Sequence, residues 1–257
     1  MTAISFGRVR RDRRPANSSE RYVVAVSLSR IISLYLTYVL LRLRLTADSI
    51  TYANLLVSLG AAALFVTGYP LWGAVGFAAV QVLDCSDGEM ARVTGTTDYG
   101  STLDSLGADL FYAVGPSSVG YYLFSVDVTV GSLPPYMVLV AGVVASLSFL
   151  VYRLVDVKVN AVINGRRANG KAGVAAAEET AQRSMSQRML GTYRNWVFRQ
   201  NFFAEPGLIL IVLVLTSMGL WEALAGYLMV LAGYTIPNVA LSMARARKHF
   251  SKELAPG

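Results

Sequence analysis

The stretch LDCSDGEMARVTGTTDYGSTLDSLGAD, Leu83 to Asp109, holds six carboxylates: Asp84, Asp87, Glu89, Asp98, Asp104 and Asp109. Its flanks are apolar, PLWGAVGFAAVQV running into it from Pro70 and LFYAVGPSSVGYYLF leaving it toward Phe124. At about 1.5 Å per residue, each flank with its share of the acidic stretch is long enough to cross a bilayer core of roughly 30 Å. The reading is two membrane helices whose neighbouring ends are acidic. Carboxylates at membrane depth are costly unless they pair, bind a cation or line a wet cavity, so they mark function by default.

The rest of the chain supports a membrane setting. Of 257 residues, 54% are hydrophobic and 15% charged, and the mean hydropathy is +0.47, well above what a water-soluble domain carries. Further apolar segments run over Ile50–Gly68, Pro134–Leu154, Pro206–Leu220 and Glu222–Met243. With Pro70–Arg92 and Tyr99–Phe124 they make six spans. Asp48 or Ser49 is the expected cap of the first. Gly115 and Pro116 are expected to interrupt the third span, and Pro237 to kink the last.

YVVAVSLSRIISLYLTYVLLRLRL, Tyr22 to Leu45, is long enough to span yet carries Arg30 in its middle. It is expected to lie in the cytoplasmic interface as an amphipathic helix, its arginines reaching the headgroups. A seventh span is the alternative.

Charge placement favours six. Six of the 23 Lys and Arg lie in residues 1–21, nine between Arg153 and Arg199, and four between Arg245 and Lys252. The proposed outer connections near Tyr69, Asp127–Pro134 and Leu220 contain none. Both termini and the acidic stretch then face the cytoplasm of an inner or plasma membrane. The net charge of +7 is thus explained by cytoplasmic loops and anionic lipid, not by nucleic acid. The expected organisation is a flexible basic arm (1–21), the interfacial helix (22–45), a six-helix domain (46–243) with a cytoplasmic loop at 155–203, and a basic tail (244–257).

The N-terminus lacks a signal-peptide pattern. The lone Cys85 excludes an internal disulfide framework and is expected to be a packing residue, and His249 to be a surface residue. No Walker or dinucleotide motif is present.

Asp84 and Asp87 stand three apart and share a helix face, and Asp104 follows Gly100 by about one turn of the next helix. Oxygen-only ligation suits Mg²⁺, Mn²⁺ or Ca²⁺ and argues against zinc. A divalent cation on a few carboxylates is a common holder of pyrophosphate. Gly88 would let a ligand approach the backbone, and Arg92 can donate to phosphate.

These residues resemble the CDP-alcohol phosphotransferases, integral membrane enzymes of phospholipid synthesis with the pattern D-x2-D-G-x2-A-R-x8-G-x3-D-x3-D. Asp84, Asp87, Gly88, Ala91 and Arg92 match its first half, and Gly100 and Asp104 match the next elements after a gap of seven residues instead of eight. The resemblance implies that Asp84, Asp87 and Asp104 ligate one or two Mg²⁺ or Mn²⁺ ions. It implies that Asp87, Gly88, Ala91, Arg92 and Gly100 lie against the CDP moiety, and that the protein is a homodimer. An acceptor hydroxyl would attack phosphorus, CMP would leave, and the last aspartate would help take the proton.

At that last position stands Ala108, and Asp109 is its neighbour. Five residues along a regular helix rotate by about 140° from Asp104, whereas four leave only about 40°. Yet Arg92 and Asp109 are 17 residues apart, the separation of arginine and last aspartate in the family pattern. Three alternatives stand: a π-bulge near Gly107 brings Asp109 round as the base, another base or metal activation serves, or the site is impaired.

Arg153 and Lys158, just past the fourth span, are candidates for an acceptor phosphate, with Arg166 and Arg167 beyond. CDP-diacylglycerol is the preferred donor, because a membrane site admits a lipid laterally; a CDP-activated polar alcohol is the alternative. A cation-binding scaffold or transporter is the non-enzyme reading, although transport favours acids at the midplane and symmetric halves. Gly60, Ala61 and Ala63 offer a small-residue face that could pack within or between subunits.

Overall fold

The computed structural model describes residues 6–12, 24–95, 98–168 and 199–251. The remainder of the basic arm, the segment 169–198 with Trp196 and its arginines, and the end of the tail from 252 lie outside the described residues, as do the side chains of Arg166, Arg167 and His249.

Helices account for the described chain, with no strand among those residues: α1 (Phe6–Asp12), α2 (Val24–Arg42), α3 (Ala47–Val66), α4 (Pro70–Thr94), α5 (Asp98–Ser125), α6 (Tyr136–Ala168), α7 (Arg199–Phe202), α8 (Glu205–Ser217) and α9 (Trp221–Ser251). Each of the six expected spans falls on a helix. Four helices are long and apolar enough to cross a membrane by length and composition: α2, α3, Tyr136–Val159 of α6 and Trp221–Ala244 of α9. The two that carry the acidic stretch, α4 and α5, are not in that set, and α8 is a shorter apolar helix. The protein is a helical membrane protein.

Helix boundaries follow from local chemistry. Thr46, not Asp48 or Ser49, caps α3, its hydroxyl accepting from the Ser49 amide at 3.2 Å. Asp48 falls in the first turn instead, where its charge favours the positive end of the helix dipole. Pro70 opens α4 where its missing N–H costs nothing, and Gly95, at φ 107°, closes it. α5 runs unbroken through Gly115 and Pro116. The reason is local re-pairing: the Ser117 amide donates to Ser146 Oγ of α6 at 3.1 Å, and the Ser117 hydroxyl donates to the Ala113 carbonyl at 2.9 Å. Side chains replace the lost backbone bonds, as apolar surroundings require. α9 likewise continues past Pro237.

Two expected boundaries move. The loop assigned to 155–203 begins as helix, since α6 continues to Ala168, and the tail from 244 begins as the last turns of α9. Part of the arm is also ordered. Phe6 stacks on Tyr35 with ring centroids 5.8 Å apart and meets Tyr38 edge-on at 5.3 Å, while Val9 is fully buried. Burial of these apolar groups on α2 gives a seven-residue helix a partner it needs.

Close helix approach sets the register. A methyl on Gly76 would stand 2.8 Å from the Ala61 side chain, so α3 and α4 pack backbone to backbone there. Ala61 therefore packs within the subunit. Between α5 and α6, a methyl on Gly142 would stand 2.6 Å from the Pro116 carbonyl. The aromatic core, with Phe65, Phe77, Phe111 and Tyr122, fills the space between α3, α4 and α5.

α2 packs on the last turns of α4, with Leu34 and Leu41 in one cluster with Met90 and Leu83. Its first amide, of Val24, donates to Asn201 Oδ1 at 2.8 Å, next to the start of α8. Its far end leads directly into α3. Thus α2 connects the start of α8, the end of α4 and the start of α3.

Candidate functional site

α4 and α5 bring Asp84, Asp87 and Asp104 together. One carboxylate oxygen from each lies within 4.8 Å of the other two. Asp87 is buried, Asp84 half-buried and Asp104 exposed. Oxygen distances of about 2.0–2.1 Å for Mg²⁺ and 2.3–2.6 Å for Ca²⁺ put two ligands of one ion at most about 4–5 Å apart. The three oxygens therefore fit around a single hard cation, and no histidine or cysteine joins them among the described residues.

α3 supplies support that the acidic motif does not contain. Thr51 Oγ1 donates to Asp87 Oδ2 at 2.8 Å, and Thr51 and Asp87 are 3% and 4% exposed. At the same end, the hydroxyls of Tyr52 and Tyr99 hydrogen-bond each other, tying α3 to the start of α5 beside Gly100. On the other side of α4, Glu89 is fully buried and accepts from Ser33 Oγ and Thr37 Oγ1 of α2, each at 3.1 Å. The helix that bears two of the three aspartates is thus held from both sides.

Arg92 folds back one turn along α4. Its guanidinium lies over Gly88, where a methyl would stand 3.5 Å from Nη1. Ala91 is half-buried beside it. The run Gly88, Ala91 and Arg92 is therefore a small-residue surface with a cation above it, adjacent to the acidic triad.

Asp109 does not join the triad. α5 is α-helical from Asp98 to Ser125 without a π turn at Gly107, so of the three alternatives the bulge is the one the helix does not show, and Asp109 keeps its rotated position. Its carboxylate forms an ion pair with Arg153 Nε of α6. Arg153 Nη2 also donates to the Ser105 carbonyl at 3.2 Å, and its guanidinium carbon lies 5.7 Å from the Tyr112 ring centroid. Arg153 is thereby fixed along α5. Lys158 is exposed and, five residues on, points about 140° away from Arg153; the structure does not bring these two acceptor-phosphate candidates together.

The sequence reading passed over Glu205, the first residue of α8. It shares an electrostatic field with Asp84, Asp104, Asp109 and Arg153, and its backbone N–H donates to Tyr112 Oη at 2.8 Å. The available signal was an acid immediately before Pro206, at the start of an apolar helix. Thr51 was passed over as well, and Glu89, one of the six carboxylates, turns to α2 and not to the triad. Cys85, buried and accepting from Gln81 Nε2 at 3.7 Å, packs inside α4's interface as expected.

Arranged this way, the site can hold a hard divalent cation on three carboxylates with a guanidinium on each flank, which is chemistry suited to a diphosphate. A family model described as CDP-alcohol phosphatidyltransferase matches residues 44–236. No match emerged among curated proteins or among solved structures.

Proposed function

The chain belongs to the CDP-alcohol phosphatidyltransferase family, whose members transfer a phosphate-linked group from a CDP-alcohol to an acceptor, and from that premise we propose that it moves a phosphatidyl group from CDP-diacylglycerol to an alcohol or phospho-alcohol, releasing CMP. The observation that carries this reading is the convergence of Asp84, Asp87 and Asp104 within 4.8 Å across α4 and α5.

These aspartates would hold Mg²⁺ or Mn²⁺, one ion or two. When bound, the cation supplies charge neutralisation for the pyrophosphate oxygens. Arg92 donates to the diphosphate from its place over Gly88, and Gly88, Ala91 and Gly100 leave room for the CDP group. Arg153 holds the acceptor, most effectively one bearing its own phosphate, and Asp109 orients Arg153 by the ion pair. The acceptor oxygen attacks the lipid-linked phosphorus, the bond to the bridging oxygen breaks, and CMP leaves. With Ala108 at the family's base position and Asp109 engaged, the proton passes to another carboxylate near the site, for which Glu205, whose charge is coupled to Asp84 and Asp104, is our assignment.

The topology follows the charge pattern, with both termini and the acidic site on the cytoplasmic side. The placement of α2 as an interfacial helix is supported by its contacts with the start of α8 and the end of α4 and by its run into α3. Homodimerisation is proposed from family membership.

Two measurements test the reading. A thermal shift with CDP or CMP plus Mn²⁺, and none with AMP, is expected; a protein unmoved by millimolar cytidine nucleotide contradicts it. Mass spectrometry of lipid products from CDP-diacylglycerol with glycerol phosphate, inositol phosphate or serine then identifies the acceptor.

A further inference from the structure

Among the described residues, two buried side-chain amide oxygens within one helical turn of site residues have no hydrogen-bond partner: Gln81 Oε1 on α4, whose Nε2 is engaged by Cys85, and Asn54 Oδ1 on α3, which faces the acidic motif's second helix. Asn54 follows Thr51 by three residues on α3 and so lies on the same face, the face from which Thr51 reaches Asp87. Its side chain is 4% exposed, and its amide oxygen Oδ1 is buried with no hydrogen-bond partner. The other end of the amide, Nδ2, is 4.0 Å from where a methyl on Gly107 would stand. Gly107 is one turn beyond Asp104 on α5 and adjacent to Ala108. Asn54 therefore sits between α3 and α5, about one turn along α3 from Thr51 and level with the turn of α5 that follows Asp104.

Buried polar atoms in proteins are almost always paired, and each exception calls for an occupant. A neutral amide oxygen is the donor type that hard cations take alongside carboxylates. We propose that Asn54 is a further member of the cation site, its amide oxygen binding the divalent ion held by Asp84, Asp87 and Asp104 directly or through one bound water. No residue of the acidic motif supplies this donor. The inference rests on the reading of the three aspartates as cation ligands.

The role separates Asn54 from an ordinary core residue by an opposite pair of signs. Without metal, the lone oxygen makes no hydrogen bond, so removing it takes no hydrogen bond from the fold. With metal, removing it weakens the site. The experiment uses the full-length protein in detergent micelles, with Mn²⁺ alone as the probe and thermal unfolding as the readout. Asn54→Ala is expected to keep the wild-type midpoint temperature in EDTA and to need about 10- to 100-fold more Mn²⁺ for the same stabilisation, the range seen when a metal site loses a supporting partner. Asn54→Asp, which keeps an oxygen at that place, is expected to bind Mn²⁺ at least as tightly as wild type.

If Asn54→Ala lowers the EDTA midpoint and leaves the Mn²⁺ requirement unchanged, Asn54 is packing or holds a structural water alone, and the inference is overturned. Should Asn54→Ala fail to fold, weaker Mn²⁺ binding by Asn54→Asp overturns it equally. A wild-type protein that ignores Mn²⁺ removes the cation reading and this inference together, whereas a wild type that responds beside an unaffected Asn54→Ala removes the inference only.

Discussion

Replacing Thr51 by valine removes one hydroxyl and almost nothing else. Valine has the same branched shape, so the packing of α3 against α4 is kept, while the 2.8 Å donation to Asp87 Oδ2 is lost. Both residues are nearly inaccessible, so no water replaces the donor. A hydrogen bond to a charged group is worth about 1.5–3 kcal/mol, and about 1.4 kcal/mol corresponds to a factor of ten. Outer partners of metal ligands show the same scale, about 10–100-fold in metal affinity or activity. Thr51→Val is therefore expected to raise the Mn²⁺ concentration for half-maximal CMP release by at least tenfold, with Thr51→Ser close to wild type. The assay is CMP release across a Mn²⁺ series, paired with Mn²⁺-dependent thermal stabilisation of the same samples. A Mn²⁺ requirement within twofold of wild type for Thr51→Val, or equal damage from Thr51→Ser, refutes the reasoning.

Four more outcomes follow from the geometry. Asp109→Asn is expected to raise the KM for a phosphorylated acceptor while kcat stays within about tenfold, since it loosens Arg153; a loss of 10²–10⁴ in kcat, the usual contribution of a general base, would reassign the proton to Asp109. Glu205→Gln is expected to show that larger loss in kcat with the acceptor KM little changed, and Ala108→Asp no gain in turnover; a large gain from Ala108→Asp would mean that the base position is vacant. Thr37→Val should lower thermal stability by about 0.6–1.7 kcal/mol, the range of interhelical polar contacts in membranes, because it strips one donor from buried Glu89. Gly142→Ala should cost about 1–3 kcal/mol by overpacking, read as a fall in the thermal midpoint, because its methyl meets the Pro116 carbonyl.

The parts of the site that could be read from the sequence are those joined by helical periodicity. Asp84 with Asp87, Gly88 with Arg92, and Gly100 with Asp104 are spaced three or four apart, and such pairs meet on any α-helix. Partners that depend on how helices dock could not be read this way. Thr51 reaches Asp87 because close contact at Ala61 and Gly76 sets the register of α3 on α4, and nothing at residue 51 announces that register. Arg153 and Asp109 are 44 positions apart, and Glu205 enters from α8. The continuity of α5 through Pro116 is illegible for a related reason: its rescue by Ser146 lies on another helix. Composition identified a helical membrane protein, and the apolar flanks of α4 and α5 marked them as spans, although these two helices fall outside the set apolar enough to cross by length and composition alone.

The most direct test of the central claim is CMP release from CDP-diacylglycerol by the purified protein, measured with Mn²⁺, with EDTA, and for Asp87→Asn in Mn²⁺. The account predicts release in Mn²⁺ with a phospho-alcohol present, its abolition by EDTA, and its loss in Asp87→Asn. Release that persists in EDTA or in Asp87→Asn would contradict a metal-dependent transfer built on Asp84, Asp87 and Asp104.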